Sequence, residues 1–424
     1  MRLAVIGGGW AGMAAAVVAS LAEHQPTVFE AGPQLGGRAR ALPVRGPDGS
    51  VLRLDNGQHI LAGAYGETLR LMRIVGVAPE RTLLRMPLTL RFPDGGGLAL
   101  PPWPAPLDAA AGIATARGWS IAEKWSLGRA AWQWRASGFQ CAAATSVADL
   151  CRGLAPRVFA ELVEPLCVSA LNTPAARASG EVFLAVLRDT LFEPRGSNLL
   201  LPLGDLGSLF PEAAARWLAE RGSAVATGQR VRQLAPRAGG WRVDDRDFDA
   251  VLLACPPQEA ARLAEGSGAA APSWAALARG LRHEGIATVY ATGGPRLPLP
   301  MLALRTGLQA PAQFVFDRSW LGGPPGLLAF VVSACAPDRQ QIQHEVMRQA
   351  HALGWTAVRP LQTVLEKRAT FACTPGLLRP PQQIAPGLLA CGDYVAGRYP
   401  ATLEGAVRSA LQAVAALGPA GAVT

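Results

Sequence analysis

The sequence predicts an α/β fold: a Rossmann-type dinucleotide-binding domain built from discontinuous segments, with an inserted α+β substrate domain made of an antiparallel sheet plus helices. Three observations predict it. A strand, a glycine turn, a helix and a second strand fill the first thirty residues; apolar strands return far downstream, ending at Cys255-Pro256-Pro257 and at Cys391-Gly392-Asp393; and two long stretches of different character separate them. At 424 residues the chain exceeds the size at which a single core keeps growing. The implied division is 1–86, 200–280 and 376–424 for the nucleotide domain, with 87–199 and 281–375 for the substrate domain.

The first unit justifies the nucleotide assignment. Leu3–Ile6 runs into Gly7-Gly8-Gly9-Trp10-Ala11-Gly12 and the apolar stretch to Leu21. In that spacing Gly7 makes the tight turn, Gly9 lets backbone approach a pyrophosphate, and Gly12 lets helix pack on strand. Trp10 and Ala11 open the helix, where unpaired N–H groups and the macrodipole favour negative charge. Glu30 closes the second strand eighteen residues after Gly12, the place for a carboxylate on a ribose hydroxyl. The turn Ala31-Gly32-Pro33 then leads to Leu35-Gly36-Gly37-Arg38, in which Gly37 permits close approach and Arg38 offers a diphosphate partner. A polar loop, Asp55-Asn56-Gly57-Gln58-His59, precedes an apolar run.

Further along, residues 87–103 read as a hairpin around Pro93–Gly97, and prolines 101 to 106 mark the exit from the nucleotide domain. Ser120 with Glu123 makes a capping box, and Ile121, Trp125, Gly128 and Trp132 share one helical face. Trp119, Trp125, Trp132 and Trp134 crowd this region, which leaves two readings open: packing between helices, or an amphipathic element that touches lipid or admits an apolar substrate. Ser146 with Asp149 opens another helix, 156–171 a third that Pro165 should kink, and Ser179 a fourth reaching Phe192. Residues 209–221 form a helix stopped by Gly222. Ala224–Ala226 and Arg230-Val231 read as strand, Trp241–Val243 and 248–255 as a hairpin-like pair. Strands follow at 286–292, 314–316, 327–334 and 364–371, with a helix over 338–353; then come a strand at 387–391 and a helix over 402–417.

Composition narrows the function classes. Half the residues are apolar and 17% are charged, so disorder is excluded. The net charge of +9 comes almost wholly from scattered arginine, with only Lys124 and Lys367 as lysines. No basic run or basic–aromatic module points to nucleic acid. Seven widely spaced cysteines without a CxxC pair read as buried free thiols of a reducing compartment, and five histidines without metal spacing predict no metal. Residues 1–22 resemble a signal peptide superficially, but the glycines break the apolar helix a signal needs. No window offers a spanning helix, so the chain reads as soluble or peripheral, and the free thiols point to the cytoplasm.

Several of these stretches together resemble the FAD-dependent amine oxidase and phytoene desaturase superfamily, whose nucleotide domain is of the GR2-like type. The Gly7–Gly12 turn is similar to its ADP-binding turn, and Glu30-Ala31 with Gly37-Arg38 to its second fingerprint. Gly228–Val231 resembles the stretch whose valine main chain meets adenine. Gly392-Asp393 resembles the motif binding ribityl or pyrophosphate oxygens, and Thr402-Leu403-Glu404-Gly405-Ala406 the helix start facing the isoalloxazine. The resemblance implies FAD, with Gly57 near it.

Within the superfamily, Asp55–His59, Leu171–Pro174, Asn198–Pro202 and Arg398–Ala406 look most like the squalene-associated flavoproteins. That implies reductive removal of a hydroxyl from hydroxysqualene, an apolar isoprenoid, in bacterial squalene or hopanoid synthesis. It also implies an electron donor to recharge FAD, and a peripheral position on the inner face of the cytoplasmic membrane, where such a substrate dissolves. Losing water from an allylic alcohol needs a proton donor, for which His59 and Tyr399 are the candidates if the family fold brings both near the flavin. A desaturase or oxidase of a carotenoid precursor or an amine is the alternative; so is a lipid escort on the same fold. Thr402, where many amine oxidases carry an aromatic, weighs against an amine.

Overall fold

The computed structural model describes residues 1–191, 196–269, 271–307 and 309–418. Its central sheet has six strands in the order Ala224–Ala226, Gln25–Phe29, Arg2–Ile6, Ala250–Leu253, Leu388–Ala390 and Gln383–Ala385. Every pairing is parallel except the last. The inner strands Leu3–Ile6 and Ala250–Leu253 are buried throughout, as strands covered on both faces must be. The helices Trp10–Leu21 and Leu403–Ala415 pack along each other against this sheet. Three distant parts of the sequence therefore build one layer.

A second, antiparallel sheet runs Met301–Ala303, Phe314–Asp317, Leu328–Cys335, His283–Thr292, Arg359–Phe371. Its strands Met301–Ala303 and Phe314–Asp317 are buried throughout, as strands covered on both faces must be. A three-stranded sheet links the two regions: Asn198–Pro202 lies between Leu61-Ala62 and Leu83–Pro87. The helices of 107–191 complete the insertion.

Local rules explain most elements. Ser120 accepts from Glu123 N while Glu123 accepts from Ser120 N, and Ser146 with Asp149 repeats the device. The 156–171 helix is disrupted where Pro165 lacks an N–H, and its preceding turn, Phe159–Val163, widens to π. The helix after Ser179 spans Gly180–Leu191; Phe192 lies outside the described residues.

Three expectations are corrected. The 209–221 helix is two pieces, Leu206–Leu209 and Pro211–Ala219, because Pro211 can only start a helix. Arg230-Val231 is not strand: the Val231 carbonyl accepts from Arg262 Nη2 (3.3 Å), and Arg232 N and Gln233 N both donate to Asp244 Oδ1 (2.9 Å), so side chains replace a ladder. Residues 248–255 split as well. Arg246–Phe248 pairs with Gly240–Val243, whereas Ala250–Leu253 joins the parallel sheet, the chain being pinned between them by Asp249, which exchanges hydrogen bonds with Arg2.

Candidate functional site

The glycine turn is dictated by space. A Cβ on Gly7, whose φ is 118°, would lie 2.5 Å from the Ala254 carbonyl oxygen, and one on Gly12 would lie 1.8 Å from that of Gly7. Gly9 differs, since its nearest neighbour would be the Gly37 Cα at 3.9 Å. Gly36 N donates to Gly8 O (2.9 Å), so the two glycine turns face each other without a side chain between them. The Trp10–Leu21 helix begins here with no side-chain cap and no acid in its first turn. Its N–H groups are left for an anion, which fits the diphosphate of a dinucleotide.

The surrounding groups brace this cradle. Trp10 is buried, with Nε1 donating to Ala39 O (3.0 Å) and its ring 5.3 Å from that of Phe210; Ala11 is buried beside it. The Glu30 carboxylate accepts from Gly8 N (2.7 Å) and Gly32 N (2.6 Å), shaping the turn through Ala31. Arg38 donates from Nη2 to Asp393 Oδ1 (2.6 Å) and from Nη1 to Ala369 O (2.7 Å). Gly392 N in turn donates to Ser409 Oγ (2.8 Å). Val231 is buried outside any strand.

A second helix start is built at Thr402. Its Oγ1 accepts from Gly405 N (2.9 Å) and donates to Tyr399 O (2.8 Å), while Leu403 begins the helix. Glu404 is fully buried, and its carboxylate accepts from Thr68 N (2.9 Å), Thr68 Oγ1 (2.7 Å) and Arg408 Nε (2.7 Å). This carboxylate therefore sits at the N-terminus of the Gly66–Ile74 helix, where negative charge is favoured. The sequence alone shows no link between Thr68 and Glu404.

Tyr399 and Ala401 both adopt left-handed backbone, at φ 62° and 59°. Each costs on the order of 1–3 kcal/mol, and such residues cluster at functional sites. The Tyr399 ring lies between the guanidinium groups of Arg398 and Arg408, 5.1 and 5.2 Å from its centroid. Burial raises the Tyr399 pKa, and the hydrogen bond with Asp189 adds to it. Asp189 is itself held by Arg398 (Nε to Oδ2, 3.1 Å) and Arg188. This acid was not visible as a site residue in the sequence.

The Asp55–His59 loop is tied to the antiparallel sheet and the turn after Asp317. Tyr290 Oη donates to Asp55 O (2.9 Å), Gln58 N reaches Thr288 Oγ1 (3.3 Å), and Arg318 Nη1 donates to Gln58 Oε1 (3.1 Å). His59 Nδ1 lies 2.7 Å from Gly57 O, so Nδ1 carries the hydrogen and, in the neutral ring, Nε2 is the acceptor. Burial lowers the His59 pKa and the Arg38 charge lowers it further, against the Gly57 hydrogen bond. Four residues earlier Asp55 is wholly buried, and burial pushes its carboxyl up to about 7. Its Oδ1 accepts from Leu206 N (2.8 Å), and Oδ2 has no partner. In the sequence Asp55 stands in a polar loop that carries part of the family resemblance, with no sign of its burial.

Other motifs hold the insertion in place. Asn172 accepts from Ala334 N (2.7 Å) and donates to Thr370 Oγ1 (3.0 Å), and Thr173 Oγ1 accepts from Cys373 N (3.0 Å). The Leu171–Pro174 motif is thus a joint between the helical insertion and the antiparallel sheet.

Comparison with known proteins agrees with this geometry. Residues 10–418 match the family model described as flavin containing amine oxidoreductase. The chain is 30% identical to the hydroxysqualene dehydroxylase of Rhodopseudomonas palustris, covering 96% of this chain and 95% of that one, and 28% identical to that of Sinorhizobium fredii over the same shares. Its fold is similar to that of cyclohexylamine oxidase from Brevibacterium oxydans, with a TM-score of 0.68 at 15% identity over 98% of both chains. A chain that gathers two glycine turns, an Arg–Asp pair and a threonine-capped helix from segments this far apart belongs to the flavin-containing amine oxidoreductases, as an FAD-dependent oxidoreductase.

Proposed function

We propose that the chain reductively dehydroxylates hydroxysqualene to squalene. The full-length similarity to hydroxysqualene dehydroxylases carries this reading. The carbon–oxygen bond breaks with its electron pair on oxygen, a proton on that oxygen releases water, and hydride completes the carbon. Reduced FAD, when bound, supplies the hydride. An electron donor must then restore reduced FAD.

The protein's own tasks are to bind, orient and deliver a proton. Gly7, Gly9, Gly12, Gly37, Arg38, Asp393 and Thr402 would hold the cofactor. His59 is the proton donor in this reading, acting from Nε2 as imidazolium, since its Nδ1–H is committed to Gly57. Tyr399 fits an orienting role better: its raised pKa makes it a weak acid. Among the described residues no helix is long and apolar enough to cross a membrane, so this reading has a peripheral enzyme drawing its isoprenoid from the bilayer surface.

The test is anaerobic mixing of photoreduced enzyme with hydroxysqualene, following flavin absorbance and extracting product. Flavin oxidation with stoichiometric squalene is expected. Flavin that stays reduced, or that oxidises without squalene, overturns the assignment.

A further inference from the structure

The helix Ile121–Ala136 presents an unusual outer face. Ile121, Trp125 and Trp132 are 87%, 74% and 70% exposed, although each is among the costliest side chains to leave in water. Successive spacings of four, three and four residues keep Ile121, Trp125, Gly128 and Trp132 within about 60° of arc. The opposite side, Leu127, Ala130 and Trp134, is buried. The helix therefore has two apolar faces, one of them turned outward.

The charges around the outer stripe all have one sign. Lys124 lies on one flank with Arg135, and Arg129 on the other. The helix's single acid, Glu123, points toward the buried side and is committed to Ser120 in the capping box. Lys124 Nζ donates to Ala114 O (2.8 Å), tying this flank to the end of the Leu107–Thr115 helix. That helix in turn exposes Leu107, Ala110 and Ala114, and Trp103 stands exposed in the proline-rich turn before it.

We propose that this face, from Trp103 through Trp132, docks on an anionic phospholipid surface. Tryptophan is suited to that boundary, since its ring is apolar and its N–H stays wet, and flanking cations add roughly 1 kcal/mol each near an anionic leaflet. A second protein would need acidic groups opposite both flanks and an apolar strip between them; an anionic bilayer supplies both over any area. The proposal deepens the isoprenoid reading and rests on it, since it names the face through which such a substrate would be approached.

The test is flotation of the FAD-loaded full chain with vesicles of mixed phosphatidylglycerol and phosphatidylcholine, against phosphatidylcholine alone. The wild type should float with the anionic vesicles at low salt and lose much of that binding at high salt. Trp125→Ser combined with Trp132→Ser should weaken partitioning at least about ten-fold, on the scale of one large apolar side chain. Gly128→Glu gives an independent probe: a Cβ at Gly128 meets nothing within 4 Å, so folding is spared while a negative charge enters the stripe. It too should reduce flotation several-fold. Unchanged flotation of both variants, or failure of the wild type to float at low salt, overturns the proposal. Variants that change the sedimenting mass while leaving flotation intact would assign the face to self-association, and also overturn it. Turnover of detergent-dispersed hydroxysqualene is read separately: its absence in the wild type defeats the proposed reaction, and flotation still decides the docking face.

Discussion

Arg38 and Asp393 meet at 2.6 Å although 355 positions separate them in sequence. The other arm of the same guanidinium holds Ala369 O, at the end of the longest strand of the substrate sheet. One side chain thus joins the second glycine turn, the C-terminal Gly-Asp turn and the inserted sheet. Replacing Arg38 by Met should remove a charge-assisted contact set worth about 1.5–3 kcal/mol, weakening FAD binding by about ten- to a hundred-fold. Flavin absorbance per protein after gel filtration, with titration of the apoprotein, measures this. Full flavin content in the variant would remove Arg38 from the cofactor site.

His59→Gln should keep flavin and lose about 10²–10⁴-fold in the rate at which substrate oxidises the reduced enzyme. The pH profile has a defined sign. Burial lowers the His59 pKa, so the imidazolium is populated only in acid, and the single-turnover rate should climb as pH falls below about 6.5. A rate that rises with pH would exclude His59 as the donor.

Asp55 predicts an unusual stability profile. Its folded pKa, about 7, lies above the ordinary 3.8, so the folded state binds the extra proton and stability falls as pH rises from about 4 to about 7. Asp55→Asn keeps an acceptor for Leu206 N and removes the titration. The variant should gain relative to wild type at pH 8 by up to about 4 kcal/mol, and gain little at pH 4. Thermal melts of both proteins across that range provide the check; parallel curves would mean that the folded state holds the Asp55 proton no more tightly than the unfolded chain does.

Glu404→Gln should cost about 1–3 kcal/mol, because a buried carboxylate that accepts from Thr68 and Arg408 is replaced by an amide with one acceptor oxygen. Denaturant unfolding reports it. Flavin content should fall along with stability, since Glu404 lies in the first turn of the helix capped by Thr402.

The two glycine extremes separate space from conformation. Gly12→Ala should prevent folding of the nucleotide domain, given the 1.8 Å approach to Gly7 O. Gly128→Ala, in an open helical position, should stabilise by about 0.5–1 kcal/mol. Soluble yield and melting temperature distinguish the outcomes.

What could be read from the sequence is what short-range chemistry dictates. Gly7, Gly9 and Gly12 are legible because a turn and a close approach demand them within six residues, and the Ser120 and Ser146 caps because the partner lies three residues on. Asp189 with Arg398, Thr68 with Glu404 and Asp55 with Tyr290 are not legible, because nothing periodic connects residues that meet only after the sheets assemble. The tryptophan helix lies between these cases. Its spacing defines a stripe, but an apolar stripe looks the same whether a neighbour covers it or not; Leu127 and Trp134 happen to be on the side that the rest of the fold covers.

The order of synthesis gives the Arg38–Asp393 contact a further meaning. A ribosome finishes the first glycine turn early, yet the acid that receives Arg38 and the helix start at Thr402 emerge only after the whole insertion has been translated. In the proposed reading the cofactor site is complete only at that stage, and a nascent chain halted before Asp393 lacks the acid that receives Arg38. In that reading a chain truncated before Asp393 should purify without flavin.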